Sequence, residues 1–181
     1  MRLILAVLTA LVAVQSPAVA DQTDPRLEGL FEELRQGDAN DAEAIADRIR
    51  MIWADSQSDT ADVLIKRALI SIDREDWTVA TALLDHVIGL SPSFAEAYMM
   101  RGYIRGRTNN AAGAAEDYRA AIDREPRHFQ ARLSLAELYL ARGDHETAHA
   151  MIQDALVWHP HNETALEMAR ELRSKLEGQE I

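Results

Sequence analysis

The sequence predicts an all-α protein, a right-handed α-solenoid of helix-turn-helix units with a C-terminal capping helix, and three observations carry that expectation. Pro92, Pro126 and Pro160 each stand 34 residues from the next. Small residues return at the same interval between them, and a pair of turn-forming residues divides each interval near its middle. A helix pair of this size cannot bury its apolar face alone, so successive units must stack. Aligning on the prolines gives units 61–94, 95–128 and 129–162.

The chain opens on what reads as an export signal over residues 1–20. Arg2 supplies the positive start, Leu3 to Val14 an apolar run, and Pro17-Ala18-Val19-Ala20 a small-residue cleavage site before Asp21. The expected product is periplasmic or secreted, cleaved near Ala20. The alternative is an uncleaved inner-membrane anchor, for which the run falls short of the roughly 18 apolar residues that span a bilayer. After cleavage no later stretch is apolar enough for membrane insertion.

Residues 21–60 read as a degenerate N-terminal helical hairpin. Extending the 34-residue register backwards places Leu30, Leu34, Ala46 and Trp53 on the core positions of a worn unit at 27–60. Gly37-Asp38 breaks its first helix early, and Gln57-Ser58-Asp59 replaces the closing proline. Terminal repeats are atypical because one of their faces meets water. The alternative is a helical hairpin unrelated to the repeat.

In the three full units, Ala68, Gly102 and Ala136 recur in the first helix and Ala80, Ala114 and Ala148 in the second. Small side chains there let two antiparallel helices approach closely. Leu84, Tyr118 and Ile152, then Val87, Ala121 and Ala155, follow at helical spacing and give each second helix an apolar stripe. Glu75-Asp76, Asn109-Asn110 and Gly143-Asp144 supply a residue tolerant of left-handed backbone followed by an N-cap. Each proline closes a second helix, because the residue before it is driven away from helical geometry. The first unit departs most, with Arg67 and Ser71 where larger apolar side chains are usual. Its second helix, from Asp76-Trp77 to Leu90, is clear. Residues 163–181 give a capping helix, Glu163 to Glu177, and a short tail, with Leu166, Ala169, Leu172 and Leu176 on one side.

The run Tyr98…Arg101-Gly102…Ala114…Asp117-Tyr118…Ala121-Ile122…Pro126 resembles a tetratricopeptide repeat (TPR), and Leu135-Ala136…Tyr139…Gly143-Asp144…Ala148…Ala155…Pro160 resembles it more closely. The likeness is to small exported bacterial proteins of this family. It implies a non-enzymatic module that binds a protein or peptide partner in a concave groove lined by the first helices. The matching positions are Ile65, Met99 and Leu133, then Leu69, Tyr103 and Glu137 one turn on, with Arg107 near the end of its helix. Met and Tyr suit adaptable contact. Some members hold a partner's C-terminal carboxylate with Lys and Asn in the groove; Ile, Leu, Met and Tyr at those places argue against such a clamp. The competing expectation is that the N-terminal hairpin or the C-terminal tail covers the groove. Weak self-association is a further alternative.

Composition narrows the chemistry. There is no cysteine, hence no disulfide, thiolate metal site or thiol nucleophile. Thirty acidic residues against 19 basic give a net charge of −11, with no basic stripe for nucleic acid. His145-Glu146-Thr147-Ala148-His149 spells H-E-x-x-H, the helical zinc motif of a hydrolase with Glu146 as general base. Ala148 is already claimed for packing, however, and a catalytic zinc needs a third ligand. His159 and His161 flank Pro160 in what reads as an exposed turn, giving at most an adventitious metal site. His86 and His128 read as isolated surface histidines. No G-x-S-x-G and no phosphate-binding glycine loop is present, so no catalytic residue, metal or cofactor is expected.

Overall fold

The computed structural model describes residues 24–177, with side chains to residue 175; the export signal expected over 1–20 lies outside the described residues. Among the described residues there are nine helices: α1 Arg26–Gln36, α2 Ala39–Trp53, α3 Asp59–Asp73, α4 Trp77–Leu90, α5 Ala95–Arg107, α6 Ala111–Arg124, α7 Phe129–Ala141, α8 His145–Trp158 and α9 Glu163–Glu177. α3–α4, α5–α6 and α7–α8 are antiparallel pairs that stack in order, and α9 closes the stack on α8.

Each turn within a pair is written by two adjacent residues. Glu75, Asn109 and Gly143 adopt positive φ of 56°, 61° and 75°. That left-handed step lets the next amide reach back: the N–H groups of Asp76, Asn110 and Asp144 donate to the carbonyls of Ser71, Arg105 and Tyr139 at 2.8, 2.8 and 3.0 Å. These bonds satisfy carbonyls that a helix end otherwise leaves unpaired. The same three residues then cap the second helix, their side chains accepting from the N–H of Val79, Gly113 and Thr147. The residues before the prolines, Ser91, Glu125 and His159, leave helical geometry and end α4, α6 and α8 as the sequence requires.

The small residues sit where the helices cross. Ala68, Ala80, Gly102, Ala114, Ala136 and Ala148 are all buried. A Cβ added at Gly102 would stand 2.6 Å from Cε1 of Tyr118. Glycine at 102 therefore makes room for the tyrosine ring, whose burial pushes its hydroxyl pKa up to about 12. Between pairs, Ala97 and Ile104 of α5 pack toward α4, and Ala131 and Leu135 of α7 toward α6. On α9 it is Ala165 with Leu172 that packs onto α8, whereas Leu166 is turned outward.

The N-terminal hairpin departs from the head-of-stack position that the register implies and follows in part the competing expectation, that it covers the face of the first helices. Leu30, Leu34, Ala46 and Trp53 are core residues as the register implies, but α1 and α2 do not extend the stack from its head. Their apolar faces join Phe129 and Leu133 of α7, Ile152 and Ala155 of α8, and Ala165 and Leu172 of α9 in one cluster that contains no side chain of α3. The reason is aromatic fit. Trp53 stacks on His128 with ring centroids 4.6 Å apart and lies 5.4 Å from Phe129. Its indole N–H donates to Glu125 Oε2 at 3.1 Å. Phe31 meets Trp158 edge-on at 5.8 Å, and the Arg127 guanidinium lies over the Phe31 ring, 4.9 Å from its centroid. The first-unit positions aligned with Phe129 and Trp158 carry Ala61 and Leu90, which give α2 no aromatic seat there. His128 and Glu125 are thereby buried, which corrects the expectation of a surface histidine at 128.

Candidate partner-binding groove

The hairpin divides the groove face into a closed half and an open half. At the closed half, α2 faces α7 across a cleft of about 680 Å³ whose lining includes Glu43, Arg50, Leu133, Glu137 and His161. Leu133, expected as a groove residue, is only 7% exposed and belongs to the hairpin cluster. The seated hairpin covers most of it, leaving only its edge in the cleft. Glu137 lies one turn on with an accessible surface, yet partial desolvation holds its carboxyl above the ordinary carboxylate range. Across the cleft, Arg50 is partly desolvated, but Asp47 at 2.7 Å and Glu43 offset this and raise its pKa.

The wall behind this cleft holds a second corrected residue. His159 is buried rather than in an exposed turn, its ring edge-on to Phe129 at 5.1 Å. Neither ring nitrogen has a hydrogen-bond partner, and Glu43 approaches Nε2 only to 3.9 Å. Burial lowers its pKa, against the opposing pull of Glu43. His159 and His161 therefore do not form an exposed pair.

The open half lies on α3 and α5. Leu69 is 51% exposed and Tyr103 44% exposed, at the same place in consecutive units. Tyr103 leans edge-on toward Trp77 at 6.5 Å, which fixes one side of its ring. Met99 is half-buried beside α6 and α7, and Arg107 is exposed at the end of α5. Ile65, expected to face the groove, instead fills the core between α3, α4 and α5. Of the seven residues singled out by sequence, the structure thus leaves Leu69, Tyr103 and Arg107 presented together on the open half, with Met99 at its floor.

One feature beneath that half was not picked out by sequence. Asp117 is buried between two guanidinium groups, with Arg101 Nη2 at 2.6 Å and Arg105 Nη1 at 3.0 Å. Arg101 also reaches Asp85 of α4 at 2.7 Å, so one arginine ties three helices together. Hydrogen bonding to Asp117 raises the arginine pKa against the cost of burial. The signal available was Arg101 and Asp117 lying 16 positions apart in one unit, the separation of facing positions on paired helices.

The histidine motif falls at the start of α8, where Ala148 is buried between helices and His149 is exposed. Among the described residues no three His, Cys, Asp or Glu side chains gather to hold a metal ion. No helix among them is long and apolar enough to cross a membrane.

Comparison with known proteins places this geometry. The family profile described as Tetratricopeptide repeat matches residues 107–172. A TPR repeat-containing protein of Rhizobium etli is 30% identical over 168 residues, covering 92% of this chain and 82% of that one. The chain belongs to the tetratricopeptide-repeat family. Solved TPR structures share the fold. The Arabidopsis OM64 TPR domain superposes with a TM-score of 0.61 at 21% identity, covering 64% of this chain and 96% of that one. The first TPR of Spaghetti (RPAP3), bound to an HSP90 peptide, gives 0.62 at 18% identity over 66% and 94%. The Yersinia enterocolitica type III secretion chaperone SycD, in complex with a peptide of the translocator YopD, gives 0.58 at 17% identity over 67% and 92%.

Proposed function

We propose that this TPR protein is a non-enzymatic interaction module of the bacterial envelope that docks a peptide or helix of a partner protein onto the open half of its groove. The observation that carries this reading is the pair Leu69 and Tyr103, large apolar side chains exposed in register on neighbouring first helices. Soluble proteins seldom leave such side chains contiguous unless a partner covers them. Met99 adds an adaptable floor and Arg107 a polar rim that orients the bound segment. The hairpin limits the site to α3 and α5, so the segment bound is short. The solved TPR domains with peptides in their complexes support this mode of binding, and the signal-like sequence at 1–20 supports export. The test is capture from an envelope extract with wild-type protein and with Leu69→Glu and Tyr103→Glu, both exposed sites where stability changes stay within about 0.5 kcal/mol. Loss of a discrete partner in both variants is expected; an unchanged captured set refutes the groove.

A further inference from the structure

The 34-residue register also marks a face that lacks its occupant. At three aligned positions the first helices carry Val63, Ala97, Ala131 and Ala165; Arg67, Arg101, Leu135 and Ala169; and Ile70, Ile104, Leu138 and Leu172. In α5, α7 and α9 these side chains pack toward the second helix of the preceding unit: Ala97 and Ile104 with α4, Ala131 and Leu135 with α6, Ala165 and Leu172 with α8. In α3 the same positions are bare, with Val63 56% and Ile70 52% exposed. The helix that sequence order would place there, α2, is held on α7 instead.

The charge on this face says what would fill it. Arg101 occupies the middle position on α5 and is met by Asp85 from the preceding second helix at 2.7 Å. Arg67 holds that position on α3, exposed, and neither it nor its neighbours Lys66 and Arg74 has a carboxylate partner among the described residues. Asp59, Asp62 and Asp73 lie on the same helix, so the face is not positive overall; what selects a carboxylate is Arg67, which stands without an ion pair between two exposed aliphatic side chains at the register position of Arg101.

We infer that the outer face of α3, formed by Val63, Arg67 and Ile70, is a second docking site, which takes one amphipathic helix of a partner protein bearing a carboxylate within its apolar stripe. Such a helix sits as α4 sits on α5, its apolar residues covering Val63 and Ile70 and its carboxylate pairing with Arg67. It adds one second helix to the head of the solenoid. The site is independent of the groove, because Leu69 and Tyr103 lie on a different face of the stack.

The probe is a stapled synthetic helix with the α4 sequence, residues 77–90, the segment that fills the equivalent seat on α5. It is titrated into the isotopically labelled protein and followed by NMR. The expected result is shifts centred on Val63, Arg67 and Ile70, affinity at least tenfold weaker for Arg67→Glu, and recovery when that variant meets a probe carrying Asp85→Lys. Tyr103→Glu in the groove, on α5, leaves probe affinity unchanged, so failure of the groove and failure of this site are separable. Absence of shifts, shifts confined to Leu69 and Tyr103, or indifference to Arg67→Glu overturns the inference. So does concentration-dependent dimerisation of the protein alone that Val63→Glu abolishes, since a second copy is then the occupant.

Discussion

Replacing Trp53 with alanine should release the N-terminal hairpin while leaving the solenoid folded. Trp53 is buried, stacked on His128 at 4.6 Å and packed beside Phe129 and Phe31. Truncating such a side chain costs about 3–5 kcal/mol. The lost indole hydrogen bond to Glu125 contributes about 1 kcal/mol of this order, and no more, because Glu125 keeps Arg127 at 2.8 Å and is not left an unpaired buried charge. A total near ~4 kcal/mol corresponds to about a thousandfold in the docking equilibrium. Hydrogen exchange read by mass spectrometry reports local opening directly. Protection of α1 and α2 should fall by about three orders of magnitude, while α3 to α6, which share no cluster with the hairpin, keep theirs. Trp53→Phe retains most of the stacked area and should cost only about 1–2 kcal/mol. Uniform loss of protection across all helices, or none in α1 and α2, would refute the hairpin as a separately docked element.

Further outcomes follow from the packing. Gly102→Ala should lower stability by about 1–3 kcal/mol in chemical denaturation, despite the better helix propensity of alanine, because its Cβ would meet Tyr118 at 2.6 Å. Gly106→Ala, whose Cβ would lie 4.0 Å from the same residue, should instead stabilise by up to about 1 kcal/mol. Asp117→Asn should cost about 3 kcal/mol by leaving Arg101 and Arg105 without their buried counter-charge. Asp85→Asn, at a half-exposed carboxylate, should cost under about 1 kcal/mol. His159 carries a lowered pKa in the folded protein, chiefly through burial, so below its ordinary value of about 6.5 the unfolded chain binds the extra proton first. Its contribution is fully present above that value and falls as pH drops toward the folded pKa. Denaturation at pH 7 and pH 5.5 should show a smaller loss in His159→Leu than in wild type, with Glu43, Arg50 and His161 unchanged around it.

The parts of the fold that depend on neighbours in sequence could be read from residues alone. Glu75-Asp76, Asn109-Asn110 and Gly143-Asp144 specify their turns because backbone sign and side-chain acceptor are local properties. The alanines and Gly102 could be placed because any close crossing requires them. The seat of the hairpin could not. An apolar stripe such as Leu30, Leu34, Ile45 and Ile49 states that a face is buried but not against what. The choice of α7 over α3 rests on long-range shape, where Trp53 and Phe31 meet His128, Phe129 and Trp158. The buried histidines were within reach of the register itself. His128 aligns with buried Phe94, and His159 with Ser91 and Glu125, both buried before their prolines. Judged singly as polar residues near a turn, they look solvent-exposed; aligned at 34 residues, they do not. In the groove, helical spacing alone could not separate Ile65, turned into the core, from Leu69, turned out of it.

The most direct measurement of the divided groove is site-specific photo-crosslinking in the cell, with a photoreactive amino acid placed in turn at positions 69, 103 and 133. Positions 69 and 103 should yield adducts with one partner protein, and position 133 an internal crosslink to α2. Partner adducts from position 133, with none from 69 or 103, would contradict the division of the groove into an open half on α3 and α5 and a half closed by the hairpin.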